Sequence, residues 1–120
     1  RHVSAAHAGD LVIAVAGGSV AGCDLEFVAT RPPELWRDLL GADGFDLADL
    51  IARESGEDLN ISATRVWCAV ECLKKGGAAG DRPLVLRAAR PDGWIELASG
   101  AARVPTYRAD HLAFAIMIES

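Results

Sequence analysis

Apolar residues recur along this chain with two different periods. Leu11-Val12-Ile13-Ala14-Val15 is a continuous apolar run closed by Gly17-Gly18, the pattern of a buried strand stopped by a turn. Val20 to Val28 alternates instead, with Asp24 and Glu26 set between Cys23, Leu25 and Phe27. A strand here carries both carboxylates on one face. From Pro33 to Glu54 the period lengthens: Leu35-Trp36, Leu39-Leu40, Leu47 and Leu50-Ile51 recur at helical spacing around Gly41-Ala42-Asp43-Gly44. Two short helices are predicted. Asn60 or Ser62 suits the cap of a further helix that runs to Lys75 and stops at Gly76-Gly77.

The remainder reads as strands: Leu84 to Ala88, Trp94 to Leu97, Arg103 to Tyr107 and Leu112 to Ile118, with a hairpin turn at Arg90-Pro91-Asp92-Gly93. This order predicts an α+β fold, an antiparallel, meander-like sheet packed against one main helix plus short helices. A length of 120 residues suits one hydrophobic core, so residues 1–120 are taken as one domain. No internal repeat or low-complexity tract interrupts it.

Composition narrows the partners. The apolar share is 51%, but no uninterrupted run reaches the roughly 20 residues that would span a bilayer, so no membrane partner is expected. A net charge of -5 argues against a nucleic-acid backbone as partner. Cys23, Cys68 and Cys72 are an odd set in apolar surroundings, read as packed thiols in a reducing, cytoplasmic compartment. Arg1-His2-Val3-Ser4 has neither an initiator Met nor a secretory pattern, so a longer parent chain is expected.

Two segments carry candidate chemistry. Asp24 and Glu26, on one strand face, would repel one another unless a cation lies between them; the same spacing also fits the solvent side of an edge strand. Trp67, Glu71 and Lys75 are each four residues apart, so they stack on one helix face. That pattern fits a third oxygen ligand for magnesium with an ammonium beside it, and it equally fits a surface Glu–Lys pair below a packed Trp. His7 is expected on a loop, Ser4 to Gly9, where it either approaches a phosphate or is simply solvated.

Taken together, Val3-Ser4-Ala5-Ala6-His7-Ala8-Gly9, Gly22-Cys23-Asp24-Leu25-Glu26 and Trp67-Cys68-Ala69-Val70-Glu71-Cys72-Leu73-Lys74-Lys75 resemble the motifs of the 4'-phosphopantetheinyl transferase superfamily. That superfamily has a serine-histidine loop, a strand ending in Gly-x-Asp-x-Glu, and a helix with Trp-x-x-Lys-Glu-x-x-x-Lys. The motifs occur in order, with the usual spacing from His7 to Asp24. The likeness extends through Pro83-Leu84, Asp92-Gly93 and Phe114-Ala115-Ile116, as in the surfactin-type class. The Glu71-Cys72-Leu73 spelling resembles the transferase domains at the C-terminus of enediyne-type iterative polyketide synthases.

The resemblance implies magnesium-dependent transfer of phosphopantetheine from coenzyme A to a serine of an acyl carrier protein, releasing 3',5'-adenosine bisphosphate. It implies Asp24, Glu26 and Glu71 as metal ligands, with Glu71 as base for the serine hydroxyl. Lys75 would contact the coenzyme A phosphates and His7 the 3'-phosphate, with Arg31 a further phosphate candidate. Trp67 is read as a packing residue. Val70 stands where the family has Lys, and Lys74 is the available substitute. Surfactin-type enzymes have two similar lobes, so a preceding lobe or a second copy is expected to complete the cleft. The alternative is a non-catalytic, transferase-like docking module of a synthase.

Overall fold

The computed structural model describes residues 2–17, 20–77 and 82–119, without the side chains at 2, 3 and 16. Its elements are β1 (His2–Ala8), β2 (Leu11–Gly17), β3 (Val20–Phe27), α1 (Pro33–Ser55), α2 (Leu59–Lys75), β4 (Leu84–Ala89), β5 (Trp94–Ser99), β6 (Ala102–Ala109) and β7 (Leu112–Glu119). Strands β4 to β7 form an antiparallel meander, and β3 joins it beside β7, giving the order β3-β7-β6-β5-β4. The fold is α+β, with α2 on one face of this sheet, α1 against α2 and β4, and the β1–β2 hairpin against the opposite face.

Register explains which residues face the helix. Asp24 pairs with Ala115, which pairs with Thr106, which pairs with Ile95. Residues in such a row share a face, and buried Ile95, Thr106 and Ala115 fix that face as the one under α2. Leu97, Val104 and Met117 extend it, meeting Val66, Ala69, Cys72 and Leu73 of the helix. Cys23 and Leu25 point the other way and pack with Ala6 of the hairpin, Ile13, Val15 and Phe114. Strand β3 is therefore covered on both sides.

A buried arginine holds the far end of α2. The Arg65 guanidinium makes a bidentate pair with Glu57, at 2.9 Å from Nε to Oε2 and 3.0 Å from Nη2 to Oε1. It also donates to the Thr106 carbonyl and hydroxyl and to the Gly93 carbonyl. Arg65 is 2% exposed. One side chain thus links the α1–α2 connection, β6 and the β4–β5 turn, and its charge is matched where it is desolvated.

Several elements differ from the sequence expectation. Residues 4 to 8, expected as a loop, belong to β1, paired in register with β2 through Ala5↔Ala14 and His7↔Val12. The small residues Ser4 and Ala6 fit closely over β3, and such residues give little strand signal in sequence. The expected buried run Leu11–Val15 is a strand, but Val12, on the hairpin face away from the sheet, is 73% exposed, and Leu11, at the turn end of β2, is 48% exposed. Gly18 lies outside the described residues. Positions 33 to 55 form one helical element broken at Gly41, whose φ of 76° is not helical; the two predicted helices meet there without an intervening loop. Asp58 caps α2, accepting the Asn60 amide at 2.8 Å. Neither expected cap serves, because Asn60 instead accepts from Arg31 N and Trp36 Nε1 and the Ser62 hydroxyl donates to Glu57.

Replacing Arg65 with Ala leaves Glu57 and two backbone carbonyls without their donor and opens a gap among β5, β6 and α2. A loss of about 3–5 kcal/mol is expected, read by urea denaturation. A loss below about 1 kcal/mol, the range of an exposed ion pair, would show that the network does not hold the helix.

Candidate functional site

The site forms where the last turns of α2 cross β3. A Cβ at Gly22 would lie 2.9 Å from the Cys72 carbonyl oxygen and 3.2 Å from Gly76 N. Only glycine permits backbone this close. Gly76, which closes the helix, is pressed equally tightly, and a Cβ there would run into Met117 Sδ. The close approach brings the helix end over Asp24, one strand pleat beyond Gly22, and Lys75 Nζ donates to Asp24 Oδ1 at 2.8 Å. Nearer the middle of α2, Cys68 Sγ donates to the Asp24 carbonyl at 3.2 Å.

Asp24 is buried, and its second carboxylate oxygen has no hydrogen-bond partner among the described residues. Glu26, on the same strand face, is the neighbour that bears on this oxygen. Burial, the adjoining Asp24 carboxylate and the negative charge of Glu71 push the Glu26 carboxyl up to about 8, with Lys75 pulling in the opposite direction. Two charged carboxylates side by side are acceptors only, so a proton or a cation must join them. The Lys75 ammonium is lowered by burial and raised by the bond and charge of Asp24, and the second effect wins. Burial pushes the Cys72 thiol up to about 12 and raises Cys68 further. Both remain thiols, and all three cysteines are free and buried.

The helix places the other expected residues less uniformly. Lys75 reaches across to the strand, and Glu71 pairs with Lys74 at 3.2 Å, so the anticipated Glu71–Lys75 stack is replaced by two separate ion pairs. Trp67 is partly exposed and lines a notch of about 110 Å³ with Glu26, Phe27, Arg31, Trp36 and Thr64. Arg31 stacks over the Trp36 ring at 5.2 Å from its centroid. His7 is exposed on β1, alternating with buried Ala6, so it lies on the outer side of the hairpin and not at the carboxylates. Among the functional groups, sequence reasoning missed the Cys68 thiol at Asp24 and the buried Arg65. The signal for Arg65 was present: it lies in the stripe of Ser62, Val66, Ala69, Cys72 and Leu73 that forms the buried face of α2.

Asp24 and Glu26 are brought together, with Glu71 near enough for its charge to act on Glu26. Among the described residues, however, no group of three or more His, Cys, Asp or Glu side chains is arranged to hold a metal ion. Glu71 is drawn toward Lys74. What remains is a two-carboxylate corner with one buried oxygen lacking a donor. Asp24 and Glu26 are the residues that would offer a cation oxygens here, and magnesium takes one or two carboxylates with water and ligand phosphate filling the rest of its octahedral shell.

Two outcomes test this geometry. Gly22→Ala must push the helix end from the strand, so a loss of about 1–3 kcal/mol is expected together with loss of the Lys75–Asp24 contact, visible in Lys75 side-chain NMR. An unperturbed Lys75 would contradict the close approach. Glu26 binds its proton more tightly folded than unfolded between pH 4.5 and about 8, so stability should fall as pH rises through that window. Glu26→Gln should remove this slope. A wild-type profile that is flat or rising there, or a slope the variant retains, would refute the assignment.

No family model matches the chain, and no curated protein matches it.

Proposed function

We propose that this chain is the catalytic C-terminal part of a 4'-phosphopantetheinyl transferase, acting on coenzyme A and a carrier-protein serine. The observation that carries the reading is the Asp24–Glu26 corner beneath the Glu71, Lys74 and Lys75 turn. Residues far apart in sequence, belonging to separate motifs of the resemblance, come together here: Lys75 bonds one oxygen of the buried Asp24 carboxylate, whose other oxygen has no partner among the described residues, and Glu71 pairs with Lys74 on the same turn. Such a juncture of acids and ammoniums suits a ligand carrying several phosphates.

Asp24 and Glu26 would hold magnesium, with the charge of Glu71 bearing on the same corner, and the ion when bound supplies positive charge to a pyrophosphate. Lys75, 43% exposed at its side chain, and Lys74, 58% exposed, have stems long enough to turn their ammoniums toward phosphate oxygens. Lys74 restores the charge that Val70 omits. Arg31, at the rim of the adjoining notch, is the further cation on this side of the sheet. Glu71 takes the proton from the incoming serine hydroxyl. The serine oxygen then bonds to the β-phosphorus, the phosphoanhydride bond breaks, and 3',5'-adenosine bisphosphate departs with the electron pair. The residues of this chain mainly position and neutralise, as phosphoryl-type transfer demands.

Mass spectrometry of an apo carrier protein incubated with the chain, coenzyme A and magnesium tests the reading. The carrier should gain the mass of one phosphopantetheine arm. Glu71→Gln should reduce the rate by about 100-fold or more with an unchanged circular dichroism spectrum. A variant of near-normal rate would remove Glu71 from the mechanism. No gain across several carriers would overturn the transferase reading in favour of a docking module.

A further inference from the structure

The sheet face opposite α2 carries a second set of polar groups that the transfer chemistry does not use. Beyond the hairpin, β5, β6 and β7 expose a groove of about 270 Å³ lined by Arg90, Trp94, Glu96, Arg103, Pro105, Ile116 and Ile118. Its floor is apolar. Trp94 is fixed there by Tyr107 and Phe114, with ring centroids 4.9 and 5.7 Å away, and Pro105 faces Glu96 across the β5–β6 ladder.

Positive charge rims this floor. The buried Glu96 carboxylate accepts Arg103 Nε at 3.1 Å and a second Arg103 nitrogen, and it lies 3.5 Å from Arg87 Nε. The register slip between Leu86 and Ala88 sets Arg87 at the irregularity, the kind of bulge that re-aims a side chain. The Arg90 amide closes the turn onto the Trp94 carbonyl, and its guanidinium makes no hydrogen bond or ion pair among the described residues. Asp92, the one acid in the turn, accepts the Trp94 amide at 3.2 Å. Two guanidiniums therefore meet one buried carboxylate, and a third, Arg90, lines the same groove without a partner among the described residues, in a chain whose net charge is -5. A local cationic excess beside an apolar floor is complementary to one anionic group joined to an apolar body.

We propose that this groove binds a small anionic amphiphile, its carboxylate at Arg90 and its aliphatic body along Trp94, Ile116 and Ile118. The groove, of about 270 Å³, has room for one anionic head and a short aliphatic body. Arg90 supplies the charge-assisted contact, since Arg103 is committed to Glu96. The site lies across the sheet from Asp24 and is independent of the transferase reading.

Octanoate titrated into the full chain is the probe, followed through the Trp94 indole N–H resonance, which Trp94→Phe assigns. Saturable shifts at Trp94 and in the Ile116 and Ile118 methyls are expected. Acetate, which keeps only the anion, and octanol, which keeps only the chain, should each bind about tenfold or more weakly. Arg90→Ala should raise the octanoate dissociation constant by about tenfold, and Arg37→Ala, on α1, should leave it unchanged. Octanol binding as tightly as octanoate, an Arg90→Ala variant that binds normally, or shifts confined to a second, apolar pocket lined by Leu40, Leu47, Val66 and Leu84 would each overturn the proposal.

Discussion

The site depends on a single close approach, the backbone of β3 at Gly22 against the end of α2 at Cys72 and Gly76. Most helix–sheet contacts are spaced by side chains on both partners. Here neither contributes a Cβ, and atoms that would sit at those positions would fall 2.9 Å or less from a neighbour. The helix end is thereby drawn down onto the strand, and Lys75, in its last turn, falls within 2.8 Å of a carboxylate that leads away from Gly22 by one pleat. Arg65 anchors the opposite part of α2 to β6 and the β4–β5 turn. Held at both ends, the helix has little freedom to rotate, and the spacing of Glu71, Lys74 and Lys75 becomes a fixed spatial pattern.

That pattern is electrostatically balanced without any ligand. Lys75 answers Asp24, Lys74 answers Glu71, and Glu26 is pushed up to about 8 by burial and its acidic neighbours. A cation entering beside the free oxygen of Asp24 therefore competes with two ammoniums. It gains a corner that water serves poorly, since a buried carboxylate oxygen without a donor carries a desolvation cost that a cation relieves. The partly exposed ammoniums, released from their carboxylates, retain the reach to meet an anion at the surface.

Much of this arrangement was legible in the sequence, because it rests on short-range periodicity. The alternation of Cys23, Asp24, Leu25 and Glu26 correctly put both carboxylates on one face, and the glycines at 76 and 77 marked the helix end. What escaped was decided by contacts distant in sequence. Ser4, Ala6 and Ala8 form a strand because small side chains fit over β3, which their intrinsic preferences do not announce. Asn60 appeared to be a cap, yet its side chain bridges Trp36 and Arg31 instead, leaving capping to Asp58. Lys75 chose Asp24 over Glu71, its neighbour by helical spacing, since a buried carboxylate offers more than one already served by Lys74. In each case a tertiary partner outcompeted a local one.

The same period-two rule that gathers the acids also separates the two surfaces of the sheet. Moving one residue along β3 from Asp24 leads to Cys23 or Leu25, under the hairpin; moving one residue along β5 from Ile95 leads to Glu96, in the arginine groove. The packed rows of Ile95, Thr106 and Ala115 and of Leu97, Val104 and Met117, all buried, lie on the α2 side with Asp24. The sheet itself separates the charges of the two faces. Glu96 is neutralised by arginines on its own side and Asp24 by lysine on the other, and neither solution borrows from the far face. A sheet with carboxylates buried on both sides is tolerable only on these terms, since an unpaired charge in such a layer would cost several kcal/mol. The helix side is left with the partly exposed ammoniums of Lys74 and Lys75 beside carboxylates, and the opposite face with guanidiniums over an aromatic and aliphatic floor.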